Sequence, residues 1–213
     1  IELPDGQDWP FAFRFPGILS EVERGFRFSM ISRLLARWAV CMPMGKEPAR
    51  VDWVSGCTMM IRRETAEQIG AMDEGYFLYY EETDYCLQAR RLGIECWYLP
   101  ASKVMHIAGQ STGVTKNSSE PQRVPAYWFE SRRRYFAKNY GRVYAALADT
   151  AWMVSYCLGG LRLWLQRKPR TSAPKLFTDF ARHSSLWSSH NTRNSQRHRQ
   201  TNREESREIS TVR

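Results

Sequence analysis

Cysteine is scarce in this sequence, and none of it occurs in a spacing that binds metal. Five of the 213 residues are cysteines, an odd number spread along the chain without a Cys-x-x-Cys pair. The pattern is typical of reduced thiols in a cytosolic protein. It excludes a zinc site built on paired cysteines and a disulfide framework.

Long uncharged runs are also absent. Residues 142–167 are almost wholly apolar, but Asp149 and Arg162 interrupt them. The uncharged stretch that remains, residues 150–161, is shorter than the roughly 20 residues that a membrane-spanning helix needs. An interfacial amphipathic helix fits better, with three aromatic residues at the membrane boundary: Trp152, Tyr156 and Trp164. A helical hairpin packed on the rest of the protein explains the same apolar residues equally well.

Excess positive charge is missing from most of the chain, although the net charge is +9. From Leu161 onward there are 12 Lys and Arg against 4 Asp and Glu, which leaves 19 basic and 18 acidic groups in residues 1–160. A neutral body with a basic C-terminal segment indicates an anionic partner surface, such as a membrane face, and argues against nucleic acid.

These shifts in composition predict four regions in an α/β protein. Residues 1–50 form a connector and a helix over residues 19–40, residues 51–141 the main body, residues 142–183 membrane-interface helices, and residues 184–213 a disordered basic tail. Because the chain opens on Ile1 in a loop-like stretch, we also expect that an N-terminal portion precedes it.

Periodicity and breakers place the elements of the main body. We predict strands at residues 57–61, "IECWYLP" and "SKVMHIAG", and helices at "RETAEQIG", "EETDYCLQARRLG" and residues 125–140. The helix "EETDYCLQARRLG" has acids in its first turn, Arg90 and Arg91 in its last, and Gly93 after its end, which matches the helix macrodipole.

Three carboxylates crowd the start of that helix, directly after an aromatic run. Glu81, Glu82 and Asp84 are explained in part by the positive end of the helix dipole, which favours acids there by a few tenths of a kcal/mol each. Close carboxylates also raise one another's pKa values, and a partly desolvated carboxylate beside tyrosines is suited to be a general base. Both interpretations stay open on these residues alone.

Two further features of the sequence contain candidate ligand-binding residues. His106 ends a predicted strand before a Gly-rich loop, where α/β sheets place ligand-binding groups, although a lone histidine is more often structural. Ser55 and Gly56 precede a predicted strand, either as a plain turn or as a close approach of backbone to substrate.

Taken in order, the segment from Trp53 to Gly113, "WVSGCTMMIRRETAEQIGAMDEGYFLYYEETDYCLQARRLGIECWYLPASKVMHIAGQSTG", resembles the C-terminal part of the catalytic domain of family 2 glycosyltransferases. Within that family, the segment is particularly similar to the rhamnosyltransferase-like enzymes of bacterial cell-surface polysaccharide assembly. The resemblance continues more weakly through "YWFESRRRYFAKNYG". It implies a partial GT-A (Rossmann-like) domain, whose N-terminal nucleotide-binding half and Asp-x-Asp metal site are absent from the sequence. We therefore expect a fragment without turnover of its own.

The resemblance also implies a role for individual residues. Glu82 stands at the catalytic base, where the family usually has Asp, and Glu81 and Asp84 flank it as supporting carboxylates. The residues implied in substrate binding are Trp53, Ser55, Gly56 and Tyr80. His106 is implied in holding the metal or diphosphate, while Gln110 replaces a glycine that is typical of the loop after it. The tyrosines and Trp53 have an alternative role as buried core.

The implied reaction is inverting transfer of a sugar, with rhamnose as a candidate, from a nucleotide-sugar donor to the hydroxyl of a lipid-linked or polysaccharide acceptor. Mg²⁺ or Mn²⁺ is the implied cofactor, with its main ligands expected in the absent half. The implied location is cytoplasmic, at the inner face of the cell membrane. A non-catalytic binding or scaffold module that retains the fold is the alternative.

Overall fold

The computed structural model describes residues 11–105, 122–169 and 171–187. The strands in these ranges are β1 (Ala12–Phe13), β2 (Ala49–Val51), β3 (Trp53–Val54) and β4 (Cys96–Tyr98). The helices are α1 (Ile18–Phe26), α2 (Ser29–Leu34), α3 (Arg63–Ile69), α4 (Glu81–Arg91), α5 (Ala126–Tyr140), α6 (Arg142–Leu165) and α7 (Leu176–Arg182). Short 3-10 turns occupy Ala36–Trp38 and Gly56–Thr58.

The strands form two small antiparallel pairs, β1 with β3 and β2 with β4. Ala12 lies opposite Val54, and Ala49 lies opposite Tyr98. The described residues thus mix helices with small sheets, and no parallel strand pair occurs among them. The coarse prediction of a mixed protein is confirmed, whereas the Rossmann-like arrangement stays a prediction.

The predicted helix over residues 19–40 is wrong as a single helix. α1 ends at Phe26 because Arg27 takes a left-handed conformation with φ 48°, which a right-handed helix cannot continue. Phe28 is extended, and α2 begins at Ser29. Apolar periodicity persists across the break, so the sequence pattern could not locate it.

Two predicted strands also differ from the structure. Residues 57–61 begin with a 3-10 turn, and although Met59 is extended, no strand of the described residues pairs with it. Residues 102–104 of "SKVMHIAG" are irregular, and the segment from His106 to residue 121 lies outside the described residues. The predicted helices at α3, α4 and α5 and the predicted strand at β4 are confirmed.

Helix α6 packs along α1 through small residues. A Cβ atom on Gly25 would lie 2.7 Å from Cβ of Ser155, and one on Gly159 would lie 2.7 Å from the carbonyl oxygen of Phe26. No side chain fits in this space, so the two backbones approach closely. The face of α6 toward α1 and α5 is therefore buried.

That packing corrects the predicted role of two aromatic residues. Trp152 is 3% exposed and stacks on Phe180 with 3.8 Å between ring centroids, while Tyr156 stacks on Phe177. Both belong to an aromatic core between α5, α6 and α7, so neither is available as a membrane-boundary residue. Trp164 is 72% exposed. The inner face of α6 therefore fits a helical hairpin packed on the rest of the protein better than it fits a helix lying in the membrane interface.

A buried ionic cluster joins three helices in the same region. Arg132 of α5 contacts Asp149 of α6 and, at 3.0 Å, Glu21 of α1, and all three side chains are at most 3% exposed. The backbone N–H of Ser185 donates to Asp149 at 2.5 Å. Ser184 and Ser185, which we assigned to the tail, are thus packed against this cluster, and residues 188–213 lie outside the described ranges.

No helix in the described ranges is both long enough and apolar enough to cross a membrane.

Candidate functional site

Glu82 lies in the first turn of α4, directly against the turn that contains Gly56. The backbone N–H of Gly56 donates to Oε1 of Glu82 at 3.4 Å. A Cβ atom on Gly56 would lie 3.7 Å from that same oxygen. Gly56 and Glu82 are 26 residues apart in sequence. The fold therefore brings the Ser55–Gly56 segment to one carboxylate oxygen of the predicted base.

The other oxygen of Glu82 is buried without a hydrogen bond. Oε2 has no partner among the described residues, and neither has Oε2 of Glu81. Burial, followed by the neighbouring charge of Glu81, raises the pKa of Glu82 from 4.5 to about 7. Burial also raises the pKa of Glu81. Glu82 is consequently poised to exchange a proton near neutral pH.

The chain enters α4 through two tyrosines with left-handed backbone. Tyr79 has φ 69° and Tyr80 has φ 71°, a conformation that costs a residue other than glycine on the order of 1–2 kcal/mol. Such strain persists only where surrounding contacts enforce it, and it concentrates at functional sites. Here Ser131 donates its hydroxyl to the carbonyl of Leu78 at 2.9 Å, which ties the segment to α5.

The two tyrosine rings lie in different environments. The ring of Tyr80 packs on Tyr135 at 5.4 Å and on Trp128 at 6.1 Å, in the core beneath α5. These contacts favour the core role for Tyr80 over its predicted substrate contact. Tyr79 is exposed at 36% and stacks on Tyr127 at 6.1 Å.

An exposed aromatic surface beside α4 was missed from the sequence. Phe77 is 72% exposed and packs on Tyr127 at 5.3 Å, next to Tyr79. The aromatic run of residues 76–80 was the visible signal, but its pairing with Tyr127 requires the packing of α5. Exposed aromatic faces of this kind suit contact with the apolar face of a ligand.

Asp84 is buried and links α4 to α5. It accepts hydrogen bonds from Nζ of Lys138 and from Nδ2 of Asn139, both at 2.6 Å. Residues two apart on a helix do not face each other, so Asp84 lies on a different side of α4 from Glu82. Its contacts are those of a residue that positions the helix.

Trp53 and Ser55 have modest local partners. Trp53 stacks on Phe13 with 4.2 Å between centroids, and its indole N–H donates to the carbonyl of Arg14 at 2.9 Å. The hydroxyl of Ser55 lies 3.5 Å from Sγ of Cys57. The structure therefore brings Gly56 to Glu82, while Trp53 helps to hold β3 on β1. Substrate binding by Trp53 and Ser55 stays a prediction.

The predicted metal site is not tested by this geometry. His106 lies outside the described residues. Within residues 11–105, 122–169 and 171–187, no group of three or more His, Cys, Asp or Glu side chains could hold a metal ion. Mg²⁺ or Mn²⁺ therefore remains an expectation.

A groove of about 690 Å³ lies between α1, α6, α7 and the residues that lead into α5. Aromatic side chains make up much of its lining, among them Trp128, Trp152 and Phe180, and Tyr79 also lines it. Tyr79 thus connects the groove with the entry of α4, three residues before Glu82. Nothing in the sequence pattern indicated this groove.

Comparison with known proteins gives relatives among the enzymes that build glycans. The chain is 32% identical over 121 residues to N-acetylglucosaminyl-diphospho-decaprenol L-rhamnosyltransferase of Mycobacterium tuberculosis, which covers 53% of this chain and 37% of that protein. It is 36% identical over 58 residues to rhamnosyltransferase WbbL of Escherichia coli, 27% of this chain and 22% of the relative.

An archaeal relative extends the match. The chain is 30% identical over 136 residues to the low-salt glycan biosynthesis hexosyltransferase Agl10 of Haloferax volcanii, which covers 60% of this chain and 40% of that protein. No protein-family model matches the chain, and no solved structure matches it. The matched part spans 22–40% of the length of these curated relatives.

These relatives confirm the resemblance that the motif around Glu82 indicated. At 30–36% identity over as much as 60% of its length, the chain is a relative of rhamnosyltransferases and hexosyltransferases and is similar to family 2 glycosyltransferases.

Proposed function

We propose that this protein takes part in inverting transfer of a sugar, with rhamnose as the first candidate, from a nucleotide-sugar to an acceptor hydroxyl in cell-surface polysaccharide synthesis. The acceptor class is a lipid-linked or growing glycan. We also propose that the chain contributes the acceptor-side part of a GT-A domain. The observation that carries the proposal is the carboxylate of half-buried Glu82: its Oε2 is buried without a partner among the described residues, and burial raises its pKa to about 7.

The proposed chemistry needs one proton acceptor at Glu82. The acceptor hydroxyl donates its proton to Oε2 while its oxygen forms a bond to the anomeric carbon of the donor sugar, and the bond from that carbon to the nucleoside diphosphate breaks with its electron pair. The N–H of Gly56 keeps Oε1 in place, and Asp84 keeps α4 in place. A buried carboxylate oxygen without a hydrogen bond lowers the stability of the protein by about 1–3 kcal/mol. A hydrogen bond from the acceptor hydroxyl to Oε2 would therefore be favourable.

A divalent cation would neutralise the departing diphosphate when bound. The described residues do not supply a complete set of ligands, so no step of this proposal runs through the metal.

The outer face of α6 supports a location at a membrane surface. Six apolar residues follow one face of this helix and are 46–76% exposed: Val143, Leu147, Val154, Leu158, Leu161 and Leu165. Asp149, the acid within α6, is fully buried, while Arg162, Arg167 and Lys168 lie at its C-terminal end. An apolar face without exposed acids suits an anionic leaflet, and we propose peripheral attachment at the cytoplasmic side of the cell membrane.

The substitution Glu82→Gln tests the proposed chemistry. Transfer is measured with the protein as the cell makes it, from nucleotide-activated rhamnose to N-acetylglucosaminyl-diphospho-decaprenol, the acceptor in the name of the mycobacterial relative. We expect kcat to fall by roughly 10²–10⁴-fold, because the amide cannot accept the proton. Glu64→Gln, in the first turn of α3, is the matched control and should leave kcat unchanged.

Transfer at the wild-type rate by Glu82→Gln would remove the base assignment. It would favour the alternative of a module that binds without catalysing transfer.

A further inference from the structure

We infer that α2 and the C-terminal end of α6 form one surface that inserts into the headgroup region of an anionic lipid bilayer. This inference rests on the proposed function, since it adds a second element to the membrane contact proposed there for the outer face of α6. It depends on two basic segments that the fold brings side by side.

Two segments of the sequence contain basic residues but no Asp or Glu. They are residues 24–46 and residues 150–178, and each has five Lys and Arg residues. Arg24 in the first segment pairs with Glu21 and adds little to the net charge of the surface. Acid-free basic segments of this kind are attracted to the negative surface of an anionic leaflet.

Direct contacts join the two segments at the start of α2. The guanidinium carbon of Arg162 lies 3.7 Å from the ring centroid of Phe28, the residue before α2. Arg27 donates from NH1 to the carbonyl of Thr171 at 2.8 Å. Because both contacts cross between the segments, α2 begins beside the C-terminal end of α6.

Helix α2 exposes apolar and basic side chains together. Met30 and Leu34 lie one turn apart on the same face and are 63% and 73% exposed, while Arg33 is exposed beside them. Ser32 is on the other side of the helix, where its hydroxyl donates to Glu23 at 2.7 Å. The nearest acid therefore lies away from the exposed apolar face.

The residues that follow α2 and those that end α6 have the same chemistry. The guanidinium carbon of Arg37, which is exposed, lies 3.8 Å from the ring centroid of Trp38. At the end of α6, Trp164 and Leu165 are 72% and 68% exposed, and the exposed side chain of Arg167 follows them. Apolar side chains that insert, next to arginines whose charged ends stay among the headgroups, are typical of an interfacial helix.

The distribution of charge favours lipid over a second copy of this chain. In a symmetric dimer the same patch of both subunits meets, so the arginines of α2 and α6 would approach one another. Like charges across a contact are unfavourable, whereas anionic headgroups offer opposite charge at every position. The occupant that we infer is therefore an anionic bilayer.

Cosedimentation of the 213-residue chain with vesicles of equal parts phosphatidylglycerol and phosphatidylcholine tests the inference. Arg33→Gln together with Arg37→Gln should weaken binding roughly tenfold, because two charges leave the surface. Met30→Ser together with Leu34→Ser should weaken it at least about fivefold, because less apolar area enters the bilayer. Vesicles of phosphatidylcholine alone should bind the wild-type chain much more weakly.

Matched controls make the same chemical changes elsewhere. Arg62→Gln with Arg63→Gln removes two exposed charges at the start of α3. Met60→Ser with Leu99→Ser removes two exposed apolar side chains outside α2 and α6. Both control variants should bind vesicles like the wild type. Both α2 variants should unfold thermally at the temperatures of their controls, since the replaced side chains are exposed.

Wild-type affinity in both α2 variants would overturn the inference. Equal affinity of the wild-type chain for vesicles with and without phosphatidylglycerol would also overturn it, because the arginines would then have no anionic partner. Self-association of the chain that is lost in the α2 variants, with vesicle binding unchanged, would overturn it in favour of a contact between copies.

Failure of the proposed function gives different results. If Leu158→Glu with Leu161→Glu loses vesicle binding while both α2 variants keep it, α2 is not part of the surface, and the location proposed through α6 stands. Glu82→Gln should bind vesicles like the wild type. If it also transfers sugar at the wild-type rate while the α2 variants lose vesicle binding, the base assignment fails and the inferred surface stands.

Discussion

Oε1 of Glu82 accepts a hydrogen bond from the backbone N–H of Gly56, while Oε2 is buried with no partner among the described residues. A residue whose only role was to favour the helix dipole would gain most from exposure to water and from backbone N–H groups at the helix start. Its burial costs free energy in the folded state. A proton acceptor that is already desolvated before the reaction requires this loss of folding free energy. The loss can be measured as a lower free energy of unfolding.

The stability of the protein should report that cost. Because the pKa of Glu82 rises from 4.5 to about 7 on folding, the folded chain binds more protons than the unfolded chain within that window. The contribution of Glu82 to stability is therefore fully present below about pH 4.5 and is lost as pH rises through 7. Glu82→Gln should raise the free energy of unfolding at pH 8 by on the order of 1 kcal/mol or more.

Urea unfolding at pH 8 and pH 4.5 measures this difference. The stabilisation should vanish at pH 4.5, where wild-type Glu82 is protonated, and Glu64→Gln should show neither effect. A loss of stability at pH 8 in Glu82→Gln would contradict the unpaired, desolvated carboxylate.

The left-handed backbone at Tyr79 gives a second prediction at this scale. Asn adopts φ near +70° far more readily than a β-branched residue does. Tyr79→Val should therefore be less stable than Tyr79→Asn by about 1 kcal/mol, measured by chemical unfolding. Equal stabilities of the two variants would show that the chain does not hold residue 79 in this conformation.

At the scale of the elements, the helices α1, α5 and α6 are joined by a buried ion cluster as well as by apolar contacts. Arg132 is enclosed by Glu21 and Asp149, and the rings of Phe136 and Phe180 lie 4.8 and 4.6 Å from its guanidinium carbon. Removal of one partner would leave a buried charge without full compensation. Such clusters specify one arrangement of the helices more than they add net stability.

Asp149→Asn should destabilise the protein by about 3 kcal/mol or more, because Arg132 loses a buried counter-charge. Thermal or urea unfolding measures the change. Glu95→Gln is the control, since its ion pair with Arg50 is exposed at the surface and should contribute less than about 1 kcal/mol. A cost for Asp149→Asn as small as that of Glu95→Gln would contradict the buried cluster.

The outer face of α6 gives the other prediction at this scale. Leu158→Glu together with Leu161→Glu should abolish most cosedimentation with phosphatidylglycerol vesicles, because the variant places acids on the apolar face. Both positions are about half exposed, so unfolding should change little. Met60→Glu, at a 99% exposed apolar residue away from α6, is the matched control. Vesicle binding that survives the α6 double variant would show that another surface attaches the protein.

At the scale of the whole molecule, local signals in the sequence predicted the elements better than their packing. Helix α4 follows from its charge order and from Gly93, which has φ 77°. The family resemblance implied separate roles for Gly56 and Glu82, but their hydrogen bond could not be predicted, since no local pattern joins residues 26 apart. Trp152 was misplaced because amphipathicity shows that a face is apolar without showing what covers it.

The ion cluster illustrates the same limit. Asp149 was visible as an interruption of an apolar run, and Arg132 as one of three consecutive arginines. Their contact depends on how α5, α6 and α1 cross, which is a tertiary property. The aromatic pairing of Tyr79 with Tyr127 escaped prediction for the same reason.

The most direct test is a carbon-13 NMR titration of the side-chain carboxyl of Glu82 in the folded chain, assigned by its absence in Glu82→Gln. It needs neither donor nor acceptor. We predict a midpoint near pH 7, and a lower midpoint in Glu81→Gln, which removes the neighbouring charge. A midpoint near pH 4.5 in the folded chain would contradict the central claim that Glu82 is a desolvated base.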